Sequence, residues 1–399
     1  MNYDFTTVVS RKNTGAMKWD EIATSTGEKP DVVPLSVADM EFKACPEIVE
    51  GIKAAADRGI FGYTYCPPGY MDSVVDWMET RHNWKIEPEW VEQTWGVILA
   101  LYNAVRAFTL EGDGIIIQTP VYYPFFGAIT DNKRRIIENP LKLVDGRYEM
   151  DYEDLEEKAK HAKMMILCSP HNPVGRVWTK EELVRAGKIC MKHGMMVISD
   201  EIHFDIIMPG YEHTVFAAAD PEFAEHCMVC TSPSKTFNLA GLNLANIIIK
   251  NPKLRELYKK ECLESATDYN TFFGYAACEA GYRNGREWLE QMTGTVQSNY
   301  EVLKEFMAEH FPQIRVFDLE GTYLAWMDFH SFGMEPKELE RFMTDRAWLF
   351  LDQGYMFGKP GEGYARINLA CPQSVLLDAL NRLKQAFDSL NNSVQNGGE

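Results

Sequence analysis

Three apolar runs in the middle of the chain each end in residues that can do chemistry. The run 164–168 leads into Ser169-Pro170-His171-Asn172-Pro173-Val174-Gly175, the run 195–199 into Asp200-Glu201-Ile202-His203, and the run 227–231 into Ser232-Pro233-Ser234-Lys235-Thr236. Taken singly, these are a turn, a helix cap and a solvated surface charge. Taken together, they place an amine, a carboxylate, an amide and hydroxyls at neighbouring strand ends. A lysine amine can condense with an aldehyde, and a carboxylate can keep a pyridine nitrogen protonated so that the ring draws electrons. Amide and hydroxyl groups can steady a ring oxygen and a phosphate. Lys235, Asp200, Asn172 and Ser232 supply those types, and the chemistry they suit is carbanion stabilisation by pyridoxal 5'-phosphate.

The elements that must position them are legible in the pattern. Short β-rich runs at 114–118, 164–168, 195–199, 227–231 and 245–249 alternate with helical stretches, as in βαβ units of a mostly parallel sheet. Ligands of such sheets bind beyond the carboxyl ends of the strands, where the three motifs fall. Between the second and third runs, Thr179 and Glu182 form a capping box. Leu183, Val184, Ala186, Ile189 and Cys190 then keep one apolar face, and Gly194 stops the helix. Residues 287–388 alternate long amphipathic helices with strand-like 322–329 and 364–370, whereas the first fifty residues are irregular. The expected architecture is α/β, with a large domain over 49–286 and a smaller α+β domain built from 1–48 and 287–399. The polar tail 393–399 is expected to be disordered.

Composition narrows the function classes. In 399 residues, 58 Asp and Glu against 40 Lys and Arg give a net charge of -18, which repels phosphate polyanions and disfavours a nucleic acid or anionic membrane as partner. No membrane-length apolar run and no leader-like amino terminus are present, so a cytoplasmic protein acting on a small molecule is expected. Nine scattered cysteines read as reduced, mostly buried thiols. Cys227 and Cys230 form a C-x-x-C without a second pair at zinc spacing, so no metal site is expected.

The order N-P-x-G, D-E-x-H, S-x-S-K-T-F-N and late A-R-I-N resembles fold type I pyridoxal phosphate enzymes, the aspartate aminotransferase-like class I/II family, over essentially the whole chain. That resemblance implies a mostly parallel seven-stranded sheet and assigns roles. Lys235 would carry the cofactor, Asp200 would face the pyridine nitrogen, and Asn172 and His203 would lie at the ring. Tyr122 would stack on it. The backbone N–H groups of Val97 and Ile98, with Ser232 and Ser234, would meet the phosphate. Arg366 would grip the substrate α-carboxylate, with Asn172 and Ala38 beside it. Tyr63 would reach the phosphate of a neighbouring subunit, which implies a homodimer with shared sites.

Two positions depart from the aminotransferase pattern. His203 stands where tyrosine is usual, and Asn243 stands where an arginine usually clasps the phosphate. With A-D-M-E-F, F-G-Y-T-Y, C-S-P-H-N-P-V-G-R-V-W-T, D-E-I-H and a later His213, they resemble the cystathionine β-lyase or β C-S lyase branch. The resemblance implies α,β-elimination of L-cystathionine or related cysteine thioethers to a thiol, pyruvate and ammonia. Two other readings fit the same residues: a transaminase, which would need a keto-acid acceptor, and a protein of this fold that works by binding another macromolecule.

Overall fold

The runs that carry the motifs lie side by side in one sheet. The computed structural model describes residues 2–20, 32–268 and 271–396. Seven strands, β1 (Val91–Thr94), β2 (Gly114–Ile117), β3 (Arg135–Glu138), β4 (Met164–Cys168), β5 (Met196–Asp200), β6 (Cys227–Thr231) and β7 (Ala245–Ile248), take the spatial order β1-β7-β6-β5-β4-β2-β3. From β6 to β3 all neighbours are parallel, while β7 runs antiparallel to both β6 and β1. The register sets Cys168 opposite Asp200 and Asp200 opposite Cys230. Because these three strands are parallel and level, the loops beyond their carboxyl ends must converge.

Helices cover both faces, which is why β2, β4 and β6 are buried along their whole length and read as continuous apolar runs. Cys227 and Cys230 belong to that buried packing, and burial pushes both thiols up. The helix Lys180–Lys192 has the reciprocal capping box of Thr179 and Glu182, and Gly194 follows it at φ +65°. A side chain there would pay the left-handed penalty, so glycine ends the helix.

A second sheet forms later in the chain. Strands β8 (Arg315–Val316), β9 (Leu324–Asp328), β10 (Asp352–Gln353) and β11 (Tyr364–Asn368) lie in the order β8-β9-β11-β10, all antiparallel. Val33–Pro34 pairs with Leu349–Phe350, tying the amino-terminal segment to this part. The helix Arg286–His310 packs on β8, and against both that helix and Leu349–Phe350 packs the helix Gln373–Asn396. The last of these corrects the expectation of a disordered tail, since helix continues through Asn396 beyond the buried stripe Leu376, Ala379, Leu380, Leu383 and Phe387. Residues 397–399 of that expected tail lie outside the described residues. Among the described residues no helix is long and apolar enough to cross a membrane.

Candidate active site

The loops beyond β4, β5 and β6 enclose a cavity of about 210 Å³. Its wall holds Ala38, Val97, Ile98, Tyr122, Asn172, Asp200, His203, Ser234 and Lys235 from the sequence-derived set, together with Trp95, Cys168, Ile202 and Asn243. Asp200 ends β5, where its buried carboxylate accepts the Ile202 N–H at 3.1 Å. Burial lifts it to about 7, although Lys235 and that N–H pull the other way. Lys235 lies in the short helix Pro233–Thr236 after β6, and its Nζ donates to the Ala38 carbonyl at 2.6 Å. Burial lowers its amine to about 8, against the pull of Asp39 and Asp200.

The remaining acids and histidines of Asp200–Asp205 back this wall. Glu201 turns into the core, accepting from Ser199 Oγ at 2.7 Å and meeting His213 Nε2 at 2.8 Å. His213 is therefore a partner of Glu201 and does not line the cavity. Asp205 accepts from Trp77 Nε1 at 3.0 Å, Arg81 Nε at 2.9 Å and Thr236 Oγ1 at 2.7 Å, so it anchors the residue next to Lys235. His203 faces the cavity with its Nδ1 unpartnered, and burial holds the ring well below its ordinary pKa.

The helix Val97–Phe108 points its amino terminus at the same space. Its first N–H groups have no partner within the helix, and its dipole favours an anion there. Gly96, at φ +129°, makes the turn that aims them. Ser234 reaches the cavity, whereas Ser232 does not. Ser232 donates to the Leu244 carbonyl at 2.7 Å and accepts the Ser234 N–H at 3.0 Å, so its hydroxyl is engaged in capping the lysine turn. Asn243 lines the cavity at φ +51°, so the position of the absent arginine does face the site.

Arg366 comes from the second sheet and is buried, contrary to the surface charge an arginine on a strand usually is. Its Nη1 donates to Asn172 Oδ1 at 2.7 Å, its Nη2 pairs with Asp352, and the guanidinium lies 4.9 Å from the Phe357 ring centroid. Its Nε has no hydrogen-bond partner. Two residues of this arrangement escaped the sequence reading. Asp352 meets Arg366 through the β10–β11 register, and Tyr323 donates its hydroxyl to the Ala38 carbonyl at 2.8 Å. Neither lies in a motif. Tyr63 is 99% exposed and outside the cavity of its own chain.

Residues 30–383 match the sequence profile of the aminotransferase class I and II family. Cystathionine beta-lyase PatB of Bacillus subtilis is 38% identical over 379 residues, covering 94% of this chain and 98% of that protein. Cystalysin of Treponema denticola, whose crystal structure contains a pyridoxal 5'-phosphate cofactor, superimposes with a TM-score of 0.96 at 48% identity, over 98% of this chain and 100% of that one. The pyridoxal phosphate-bound C-S lyase of Staphylococcus hominis does so with a TM-score of 0.90 at 31% identity, over 97% and 98%. With the profile spanning most of its length and these relatives matching it end to end, the chain belongs to the aminotransferase class I and II family, within the branch of the cystathionine beta-lyases and C-S lyases.

Proposed function

We propose that this chain is a pyridoxal 5'-phosphate-dependent carbon–sulfur lyase that splits L-cystathionine or related L-cysteine thioethers into a thiol, pyruvate and ammonia. The observation that carries the reading is one cavity with Lys235 and Asp200 on its wall, in a chain 38% identical to a cystathionine beta-lyase. The residues fit the cofactor. The carboxyl of Asp200, lifted to about 7 by burial, lacks the full cationic partner that a protonated pyridine would be. The unpartnered His203 Nδ1 and the helix amino terminus at Val97 and Ile98 suit a ring oxygen and a phosphate.

When bound, the cofactor supplies an aldehyde and a cationic ring that takes up the electron pair left at the substrate α-carbon. Lys235 would hold the aldehyde, and its Nζ, when free, would take the substrate α-proton. Burial lowers the Lys235 amine to about 8, which favours its acting as a base. Asp200 would hold negative charge at the ring nitrogen, Tyr122 would lie against the ring, and Ser234 with the Val97 and Ile98 amides would hold the phosphate. Arg366, held by Asp352 and Asn172 behind the cavity wall, would meet the substrate α-carboxylate, with Ala38 alongside. Ser232 supports the lysine turn. We also propose that the site is completed by Tyr63 of the partner subunit in a homodimer, that residues 49–286 form the cofactor domain with 1–48 and 287–399 as the smaller one, and that the protein works in the cytoplasm.

The test is incubation of the loaded protein with L-cystathionine and no keto acid, with pyruvate and free thiol assayed. Many turnovers per site are expected. A single turnover that resumes only when a keto acid is added would assign the chain to the transaminases.

A further inference from the structure

The amino-terminal segment lies directly behind the lysine. Lys18, its side chain only 1% exposed, sets Nζ 3.4 Å from Asp39 Oδ1 and 3.1 Å from Glu41 Oε1, and donates to the Asp39 carbonyl at 3.2 Å. Arg11 reaches the same two acids, at 2.6 Å and 3.0 Å. Two cations therefore face two anions across residues 39–41. A lysine this buried requires such pairing, and its presence needs a reason beyond stability, because buried ion pairs seldom improve on packed apolar side chains.

The reason lies in what residues 37–42 touch. Asn238, three residues after Lys235, donates to the Met40 and Phe42 carbonyls at 3.0 and 3.1 Å. Asn368, two residues after Arg366, donates to the Val37 and Asp39 carbonyls at 2.9 and 2.7 Å. Held from both sides, the stretch presents the Ala38 carbonyl, which accepts from Lys235 Nζ at 2.6 Å and from Tyr323 at 2.8 Å. We propose that Arg11, Lys18, Asp39 and Glu41 form a positioning quartet for Lys235, fixing the carbonyl toward which its amine points and balancing the charge beside it. This rests on the reading of Lys235 as the cofactor-bearing lysine.

Among the described residues, the charged and titratable groups facing Lys235 include Asp39, Asp200, Arg366, Lys18, the His203 ring and the hydroxyls of Tyr122 and Tyr323. Asp39 and Asp200 favour its protonated form, while Lys18 and Arg366 oppose it. Lys18 and Asp39 thus support the same carbonyl yet act on the lysine with opposite sign. A purely architectural role would make loss of either one act in the same direction.

The experiment uses the full chain loaded with pyridoxal phosphate and follows the pH midpoint of the visible absorption of the lysine–cofactor linkage, alongside kcat and KM. Lys18→Gln is expected to raise the midpoint by on the order of half a pH unit and Asp39→Asn to lower it by a similar amount. The double variant should return near wild type, Lys18→Arg should stay there, and kcat should move more than KM. Arg11, a quarter exposed, provides a variant that folds if Lys18→Gln does not: Arg11→Gln should raise the midpoint by less. Midpoints that stay put, or that move together, overturn the quartet. An absorption band that persists in Lys235→Ala overturns the underlying reading and the quartet with it. A band lost in that variant but unmoved in the others overturns the quartet alone.

Discussion

Arg366 is a buried cation kept usable by its neighbours. Asp352 and Asn172 hold two of its nitrogens, Phe357 lies under its plane, and its buried Nε has no hydrogen-bond partner. Lysine at this position would keep the charge but lose the planar fork, so the substrate carboxylate could swing. Arg366→Lys is expected to lower kcat/KM on the order of a hundredfold while the cofactor absorbance stays unchanged; kcat/KM equal to wild type would remove Arg366 from substrate contact. Asp200 gives a second prediction, through pH. Its folded carboxyl at about 7 lies above its ordinary 3.8, so folding binds its proton more tightly. In protein stripped of cofactor its contribution to stability is therefore intact below about pH 4 and lost as pH rises to about 7, by on the order of 3–4 kcal/mol as an upper limit. Other carboxylates titrate in the same window, so the measurement is the melting-temperature difference between stripped wild type and stripped Asp200→Asn. Wild type should lose ground to the variant across that window, and loading the cofactor should abolish the trend. Parallel curves without cofactor would refute it.

At the scale of elements, the aim of the helix Val97–Phe108 depends on a single backbone conformation. Gly96 sits at φ +129° and ψ 161°, a region essentially closed to other residues, yet a Cβ there would meet no atom within 4 Å. Gly96→Ala should therefore act through backbone strain and not through a clash, turning the Val97 and Ile98 N–H groups off line. The expected outcome is cofactor Kd raised about tenfold, by the lower end of the 1–3 kcal/mol such strain costs. Gly294→Ala, in the helix Arg286–His310 and equally free of neighbours, should leave it unchanged. The same scale decides what the sequence could reveal. Runs near β2, β4, β5, β6 and β7 were legible because burial on both faces makes them continuously apolar. The strands β1, Val-Glu-Gln-Thr, and β3, Arg-Ile-Ile-Glu, escaped because they are the two edges of the sheet, where side chains are partly exposed and polar residues interrupt the pattern. Asp352 was invisible for another reason: only the antiparallel register of β10 on β11 brings it to Arg366, and no local spacing encodes that pairing. The irregular amino-terminal fifty residues hid the ion pairs of Arg11 and Lys18 in the same way.

Across the whole molecule, the segment Ile60–Tyr65 stands out for its exposed apolar side chains. Ile60, Phe61, Tyr63 and Tyr65 are all exposed, with Tyr63 and Tyr65 almost fully so, and an exposed apolar cluster of this kind supports the proposed homodimer. If the proposed homodimer shares its sites, Lys235 of one subunit and Tyr63 of the partner subunit serve the same cavity, and a closed two-fold pair carries two such cavities. This arrangement has a consequence that no monomer can imitate. Take Lys235→Ala, inactive for want of its amine, and Tyr63→Ala, weakened in holding the phosphate and assayed at limiting cofactor. In a hybrid dimer one cavity collects both defects and the other collects neither. Mixed in equal amounts and refolded together, subunits pair at random, half the dimers are hybrids, and about a quarter of all cavities are fully wild type. Activity should reach at least that quarter of the wild-type value, above the mean of the two separate parents, and the restored sites should show wild-type KM and cofactor affinity. Activity equal to that mean, in a preparation that sedimentation shows to contain hybrid dimers, would mean that each chain builds its cavity from its own residues and that Tyr63 serves only the surface.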